Sequence, residues 1–239
     1  MAIVAGIHPV SEALRAKRSL DRVLVARGAG GAKVQEIVDA CRKAGVPVRF
    51  EPRDALDRLA AGSAHQGVVA VGAAHGYADL DALAESARML VLLDGVEDPH
   101  NLGAVIRTAN AVGADAVVIP DRRAAGLTDT VAKSSAGAIE YTPVARIGNV
   151  AQTLEKLKNH GFWIYGLDER GSVPYHRVDW AERCVLVLGA EGKGLHDLVR
   201  KRCDVLVSIP MAGAVASLNV SVAAGVVLFE WRKSAAKAR

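Results

Sequence analysis

The stretch MLVLLDGVEDPHNLGAVIRTAN, residues 89–110, indicates the fold of the larger part of the chain. Its first five residues form an apolar run of the kind found in β-strands that are buried on both faces, and the run ends at Asp94. A buried strand followed by an amphipathic helix is the repeating unit of parallel α/β sheets. After the loop, apolar residues recur at helical spacing, at Leu102, Val105, Ile106, Ala109 and Val112.

The alternation of strand and helix continues along the rest of the chain. Strand-like runs occur at 116–120, 162–168, 184–189 and 205–210, and a last helix is predicted from about Ser217 to Lys233. The predicted fold class is therefore α/β, with a mostly parallel sheet between helices. In such sheets, ligands bind at the loops beyond the carboxyl ends of the strands.

The first third of the chain is predicted to be a separate, smaller α/β domain. Its β-rich runs at 22–27, 46–51 and 67–72 alternate with a helical pattern. A stretch rich in alanine and acidic residues follows and separates it from the more hydrophobic part. The predicted boundaries are a domain over 1–72, a linker over 73–87 and a second domain over 88–239.

The net charge of +4 is unevenly distributed over the 239 residues. Residues 1–75 carry 11 Lys and Arg against 7 Asp and Glu, whereas residues 76–230 carry 15 against 19. Residues 231–239 add four basic side chains and no acidic one. The basic N-terminal part favours a polyanionic partner such as RNA, bound through its phosphates. The basic C-terminal tail is also typical of a solvated terminus.

The composition argues against several classes of site and location. The three cysteines are odd in number and far apart, which disfavours a disulfide framework and a zinc ribbon. The seven histidines lack the spacing of metal ligands, so no metal site is expected. No apolar run approaches the ~20 residues of a membrane span. We expect a cytoplasmic protein with no membrane partner.

Three loops between a strand and a helix are unusual, and the first of them lies at the start of residues 95–110. Asn101 is predicted to cap the new helix, and Gly103 leaves space for a close approach near the positive end of that helix. Arg107 lies on the helical face that points away from the apolar stripe, among small residues. This position suits either a solvated arginine or an arginine in a ligand-binding groove.

The second loop lies in LVLGAEGKGL, residues 186–195. Its three glycines, at 189, 192 and 194, let the backbone approach a flat or charged ligand. The loop fits neither a phosphate-binding loop nor a dinucleotide fingerprint, and Glu191 favours a ligand with a cationic or hydrogen-donating part. A tight turn before a helix would show the same residues.

The third loop lies in IPMAGAVASLNVSVAAG, residues 209–225. Ser217 is predicted to be the N-cap of the last helix, and Asn219 and Ser221 follow early in an otherwise small and apolar helix. Polar side chains there need partners, although capping and surface hydrogen bonds would also explain them. Three glycine-marked loops in one domain favour a ligand site more strongly than any one of them alone.

Together the three loops resemble the SpoU/TrmH branch of the SPOUT methyltransferases. GIHPV at 6–10 and HQG at 65–67 are similar to the N-terminal substrate-binding domain of bacterial 23S rRNA guanosine 2′-O-methyltransferases of this branch. Ala214 and Ala216 stand where relatives often carry serine, so no role is assigned to them. The matching loop residues are Asn101, Gly103 and Arg107, then Gly189, Glu191 and Gly194, and then Ile209, Pro210, Ser217, Leu218 and Asn219.

The resemblance implies a more detailed fold and a chemistry. The C-terminal part of the catalytic domain would be threaded into a trefoil knot, the N-terminal domain would be a ribosomal-protein-like RNA-binding module, and the enzyme would be a homodimer. S-adenosyl-L-methionine would be the methyl donor. Donor binding would fall to Gly189, Gly194, Ile209, Met211 and Leu218, and catalysis to Asn101, Arg107, Glu191, Ser217 and Asn219.

The predicted function is therefore methylation of the 2′-oxygen of a ribose in RNA. The predicted substrate is a guanosine of 23S rRNA. A tRNA ribose 2′-O-methyltransferase would carry closely similar motifs. A non-catalytic RNA-binding protein is disfavoured because all three loops keep their polar residues. A dinucleotide-dependent oxidoreductase is disfavoured because the fingerprint glycines and the acid ~20 residues further on are missing.

Overall fold

The structure, a computed structural model, describes residues 2–190, 192, 194–214 and 217–237, and of Lys237 only the backbone. The chain divides into two compact units, one that ends at Gly76 and one that begins at Tyr77. This division falls inside the stretch 73–87 that the sequence analysis predicts to be a linker. Within that stretch Ala84 and Ala87 are buried.

The first unit contains a four-stranded sheet with three helices. Its helices are α1 (Ile7–Arg15), α2 (Ala32–Ala44) and α3 (Arg53–Ala60). Its strands are β1 (Ala2–Ala5), β2 (Leu20–Ala26), β3 (Val48–Glu51) and β4 (Val68–Gly72), in the order β1-β4-β2-β3. β4 is antiparallel to both of its neighbours, whereas β2 and β3 are parallel.

Successive side chains of β2 enter two different cores, as expected of a strand covered on both faces. Val23 and Val25 pack into a core that also holds residues of α1 and α2. Leu24 and Ala26 pack on the other face, with Leu56 of α3. Neither α1 nor α3 is evident from the sequence, because both are too short for a clear helical period.

The second unit contains a seven-stranded parallel sheet, counted over the described residues. Its strands are β5 (Met89–Asp94), β6 (Ala116–Pro120), β7 (Val144–Ile147), β8 (Trp163–Leu167), β9 (Val173–Pro174), β10 (Cys184–Gly189) and β11 (Val205–Ser208). Their order is β7-β6-β5-β10-β8-β11-β9, and every pairing is parallel. Its helices are α4 (Leu80–Ser86), α5 (Pro99–Val112), α6 (Asp129–Ser134), α7 (Val150–Asn159), α8 (Asp197–Arg202) and α9 (Val220–Lys237), and single 3-10 turns form at Ala138–Glu140 and Tyr175–Arg177.

Both faces of this sheet are covered, which explains the continuous apolar run of β5. Met89, Val91 and Leu93 pack into the core that includes residues of α5 and α9. Leu90 and Leu92 pack into the opposite core, with residues of α7. A fully buried side chain of this size stabilises the folded state by about 1.5–3 kcal/mol. The predicted α/β fold with a mostly parallel sheet is confirmed.

The order of the strands places a crevice at the centre of the sheet. From β5 the chain proceeds outward through β6 and β7, and then returns to the other side of β5 to form β8 and β10. At such a switch point, the loops that follow adjacent strands run in opposite directions and leave room for a ligand. The last residues of the two central strands, Asp94 and Gly189, are paired in register.

Two segments of the second unit differ from the sequence prediction. α4 forms inside the predicted linker, and α6 forms between β6 and β7, where the sequence analysis gives no helix. α6 has only six residues, and Thr128 caps it by accepting a hydrogen bond from Val131 N–H. No helix in the described part of the chain combines the length and the apolar character that crossing a bilayer requires.

Candidate active site

The first loop follows β5 and enters α5 by a different cap from the one predicted. Asp98, not Asn101, is the N-cap, and its side chain accepts a hydrogen bond from His100 N–H at 2.9 Å. The prediction is wrong because Pro99 occupies the first helical turn, where its missing N–H costs nothing, and this moves the helix start three residues upstream. Asn101 is therefore free of the capping role, and it is buried.

The structure brings Asn101 of the first loop together with Asn219 of the third. Asn219 Nδ2 donates a hydrogen bond to Asn101 Oδ1 at 2.9 Å, across 118 positions of sequence. Asn219 Oδ1 accepts from Ser221 N–H at 2.9 Å. Asn219 thus precedes and caps α9, and the predicted N-cap at Ser217 is wrong, because the helix begins at Val220. One amide side chain both starts α9 and ties it to α5.

Gly103 serves a contact within the protein. A Cβ at this position would stand 2.4 Å from Ser134 Cβ and 2.8 Å from Val131 O, both on α6. The close approach predicted at this glycine is therefore made by α6.

The second loop folds back on itself after β10. A Cβ on Gly189 would stand 2.2 Å from the backbone carbon of Gly194, so the loop closes only if residue 189 is glycine. Gly192 and Gly194 have φ of 75° and 64°, in the left-handed region that favours glycine, and a Cβ on either would meet open space. Glu191, which the sequence analysis singled out, lies outside the described residues.

A cleft opens beyond the carboxyl ends of β8, β10 and β11, and we call it the glycine cleft. It gathers six of the predicted site residues from the second and third loops: Gly189, Gly194, Ile209, Met211, Ser217 and Leu218. The described residues that also line it are Leu167, Asp168, Glu169, Arg170, Leu188, Ala190, Gly192, Val220 and Ala223.

The segment after β8 is the part of the glycine cleft that the sequence analysis missed. Asp168 is 5% exposed and accepts hydrogen bonds from Arg170 N–H and from Arg170 Nε, each at 2.9 Å. These bonds to the Arg170 side chain and backbone lower the pKa of the Asp168 carboxyl, and nearby Arg200 acts in the same direction. The polar LDERG run directly after a buried strand was the available signal.

A second cleft lies beside the first, and we call it the Asn101 cleft. It shares Ala190 and Val220 with the glycine cleft, and it contains His196 together with Asn101. The described residues that line it are Gly95, Val96, Glu97, Asp98, Asn101, Arg123, Ala190, His196 and Val220. The two clefts therefore adjoin each other at the switch point.

Comparison with known proteins identifies the family of this chain. The model of the family described as SpoU rRNA Methylase matches residues 88–229, more than half of the chain. The chain belongs to this family. A second model, described as RNA 2′-O ribose methyltransferase substrate binding, matches residues 3–78. The family resemblance predicted from the three loops is confirmed, and this SpoU methylase is an RNA methyltransferase.

The relationship extends over nearly the whole chain. The "Putative TrmH family tRNA/rRNA methyltransferase YacO" of Bacillus subtilis (strain 168) is 45% identical, over 95% of this chain and 93% of its own length. The SpoU methyltransferase AviRb from Streptomyces viridochromogenes, solved in complex with AdoMet, is 27% identical with a TM-score of 0.84, over 99% of this chain and 91% of its own. The A. aeolicus TrmH/SpoU tRNA modifying enzyme is 29% identical with a TM-score of 0.58, over 66% of this chain and 83% of its own.

Arg107 of this SpoU methylase lies on α5 with its side chain exposed. It is absent from the described linings of both clefts, and no carboxylate of the described residues pairs with it. Its helix, α5, begins at the switch point and also carries Asn101. A cation that pairs with no carboxylate of the described residues can bind a phosphate or stabilise a developing negative charge.

Two of the three cysteines, Cys184 and Cys203, have strongly perturbed thiols. Burial raises the pKa of the thiols of Cys184 and Cys203 to about 12, so both are protonated at neutral pH and act as packing residues. No group of three or more His, Cys, Asp or Glu suited to a metal ion occurs among residues 2–190, 192, 194–214 and 217–237.

We expect Asp168→Asn to lower the free energy of unfolding at neutral pH by about 1–2 kcal/mol, because it removes the ionised acceptor of the hydrogen bonds from Arg170. The loss is limited because the Arg170 side chain left behind is exposed and its charge is screened by solvent. The pKa of Asp168 is lowered in the folded state. Its contribution is therefore complete above the ordinary aspartate pKa of about 4 and is lost as pH falls through the lowered value.

Urea unfolding at neutral and acidic pH measures this effect. The difference between the wild type and Asp168→Asn should shrink as the solution is acidified. Glu182→Gln, at an exposed carboxylate that pairs with Arg88, serves as the control and should change little. A difference for Asp168→Asn that is independent of pH would show that the carboxylate charge is not what stabilises this loop.

Proposed function

We propose that this chain methylates the 2′-oxygen of a ribose in RNA, with S-adenosyl-L-methionine as methyl donor, and that its substrate is a guanosine of 23S rRNA. The observation that carries the proposal is the glycine cleft, in which all five residues expected to hold the donor line one space at the switch point of the sheet. The adjoining Asn101 cleft, with its polar lining, is the proposed site of the ribose.

The glycine cleft fits an adenosyl sulfonium ligand in shape and charge. The space beside the backbone of Gly192 and Gly194 is open and leaves room for a flat base. The apolar wall of the cleft includes Leu188 and Ile209. Glu169 supplies negative charge for a cationic ligand. Arg170 binds Asp168 through Nε and Nη2, but its side chain is 59% exposed, and its other amino group is placed to receive a carboxylate. When bound there, the donor supplies an electrophilic methyl group on a positively charged sulfur.

The roles proposed for Arg107 and Glu191 follow from the family resemblance, and those of Asn101, Asn219 and Ser217 also from their positions in the structure. Arg107 stabilises the negative charge that develops on the ribose oxygen and grips the adjacent phosphate. Asn101 and Asn219, joined by their hydrogen bond, orient the ribose between the two clefts. Ser217 lines the glycine cleft and helps to position the donor. Glu191 is assigned, from the sequence alone, to holding Arg107 and the ribose in place.

The choice of substrate rests on the N-terminal unit. Residues 3–78 match the substrate-binding family model, and residues 1–75 carry the excess of basic side chains that RNA phosphates require. The tRNA modifying enzyme of A. aeolicus matches only 66% of this chain, whereas AviRb matches 99%. This difference favours a substrate that needs both units. A tRNA remains the second candidate, because the name of the B. subtilis relative covers both RNAs.

The proposal includes a homodimer, a C-terminal trefoil knot and a cytoplasmic location. Two large apolar side chains of α9, Val222 and Phe229, are 52% and 56% exposed, which supports a partner on this helix. The knot is proposed for the C-terminal part of the second unit, where the second and third loops build the glycine cleft.

Mapping of 2′-O-methyl groups by mass spectrometry, in RNA from cells with and without this protein, tests the substrate. We expect one methylated guanosine of 23S rRNA to disappear while all tRNA methylations persist. Loss of a tRNA methylation with intact 23S rRNA would contradict the substrate assignment and leave the reaction type in place.

A further inference from the structure

His196 is held by a buried carboxylate at the switch point of the sheet. Asp94, the last residue of β5, is 4% exposed, and its Oδ1 lies 2.9 Å from His196 Nδ1. Asp94 Oδ2 accepts a hydrogen bond from the His196 backbone N–H, also at 2.9 Å. The contacts join residues 102 positions apart in sequence. The orientation of the imidazole therefore depends on its own loop and also on Asp94 at the end of β5.

The pairing with Asp94 determines which ring nitrogen can accept a proton. A carboxylate only accepts hydrogen bonds, so the proton of the neutral imidazole sits on Nδ1 and Nε2 carries the lone pair. The side chain is 49% exposed. Among the described residues, none is hydrogen-bonded to Nε2. His196 therefore presents a basic nitrogen that is open to solvent or to a ligand.

This basic nitrogen belongs to a residue beside the proposed donor site. His196 and Asn101 line the same cleft, which shares Ala190 and Val220 with the glycine cleft. An imidazole that is oriented by a carboxylate and open to a cleft is the arrangement by which many enzymes take a proton from a hydroxyl group.

We propose that His196, oriented by Asp94, is the general base that takes the proton from the ribose 2′-hydroxyl. This inference rests on the proposed function, methyl transfer to ribose. The hydroxyl proton passes to His196 Nε2 while the ribose oxygen forms its bond to the methyl carbon. The carbon–sulfur bond breaks and leaves its electron pair on sulfur, and the imidazolium then releases the proton to water.

The assignment complements the role of Arg107. A guanidinium is protonated throughout the accessible pH range, so Arg107 stabilises charge on the oxygen but takes no proton from it. Histidine is the side chain whose ordinary titration lies nearest neutral pH, which suits a group that must be neutral before the step and charged after it.

Several charged side chains lie around the imidazole or on the helix that it caps. The acidic side chains are Asp94, Glu97, Asp98 and Asp197, and the basic ones are Arg123 and Arg200.

The substitution His196→Asn tests the proposal with little risk to the fold. His196 is the N-cap of α8, asparagine is a preferred N-cap, and its amide can still donate to Asp94, but it is not a base. The assay is single-turnover methyl transfer, as a function of pH, to rRNA prepared from cells that lack the protein. The variant should be about 10²-fold slower near neutral pH. The deficit should close at alkaline pH, where hydroxide replaces the base.

His160→Asn is the matched control, because His160 ends α7 and is absent from the described linings of both clefts. It should keep the rate and the pH profile of the wild type.

Nitrogen NMR of the full-length, histidine-labelled protein tests the orientation of the ring without any catalysis. The wild type should carry the His196 proton on Nδ1. In Asp94→Asn an amide faces Nδ1, so the proton should move to Nε2, and methyl transfer should slow in the same way as in His196→Asn.

The outcomes distinguish failure of the proposed base from failure of the proposed function. The assignment of the base is overturned if His196→Asn transfers methyl at the wild-type rate. It is also overturned if the variant is slower than the wild type by the same factor at every pH. A wild-type His196 that carries its proton on Nε2 overturns it as well. Failure of the wild type itself to methylate any RNA overturns the proposed function, and the role of His196 as general base is then overturned as well.

Discussion

Replacement of Arg107 by alanine should nearly abolish methyl transfer while leaving the affinity for S-adenosyl-L-methionine almost unchanged. The residue is carried by α5 and is absent from the described lining of the glycine cleft, so the donor site stays intact in Arg107→Ala. Loss of a group that stabilises developing charge lowers the turnover rate by about 10²–10³-fold. Calorimetry of donor binding and single-turnover methyl transfer measure the two quantities separately.

Two further variants show whether the effect is specific. Arg202→Ala removes a cation of α8 that pairs with Glu155 at the surface, and it should retain both activity and donor affinity. Glu191→Gln should weaken catalysis less than Arg107→Ala, because its proposed role is to orient. If Arg107→Ala loses donor affinity and turnover to the same degree, the arginine belongs to the donor site and its proposed role is wrong.

A truncated chain that begins at Tyr77 should fold and bind S-adenosyl-L-methionine but fail to methylate RNA efficiently. All the strands whose ends form the two clefts lie within this unit. Tyr77 belongs to it, because the Tyr77 hydroxyl accepts a hydrogen bond from Leu127 N–H at 3.3 Å and the Arg146 guanidinium stacks 4.4 Å from the centre of its ring. A start at Arg88, the boundary predicted from the sequence, would remove α4 and the buried Ala84 and Ala87.

The failure on RNA follows from the distribution of charge. Residues 76–230 carry 15 basic against 19 acidic side chains, so little besides the C-terminal tail remains to attract phosphates. The full chain should accordingly lose RNA affinity steeply between low and moderate salt, while its donor affinity barely changes. Methylation of the same RNA by the truncated chain at near full-length efficiency would contradict the role given to the N-terminal unit.

Much of the fold could be predicted because its signals are local. The apolar run of β5 reports burial on both faces, and the glycine loops after β10 and β11 mark the carboxyl edge where the glycine cleft opens. α6 escaped prediction because six residues make less than two helical turns and carry no clear period. The start of α5 was misplaced because an Asp-Pro pair competes locally with Asn101 for the cap.

The polar pairs of the site could not be predicted because they join distant parts of the chain. Asp94 and His196 are 102 positions apart, and Asn101 and Asn219 are 118 positions apart. Only the pairing of β5 with β10 brings the first two side chains together. Asp168 follows a buried strand in an ordinary polar loop, and its significance depends on its neighbours in space.

The most direct test of the central claim is transfer of a labelled methyl group by the purified full-length protein. The protein is incubated with methyl-labelled S-adenosyl-L-methionine and 23S rRNA from cells that lack it, and the RNA is digested to nucleosides for mass spectrometry. The account predicts label on the 2′-oxygen of a single guanosine. Label on a base, or no label in any RNA supplied, would contradict it.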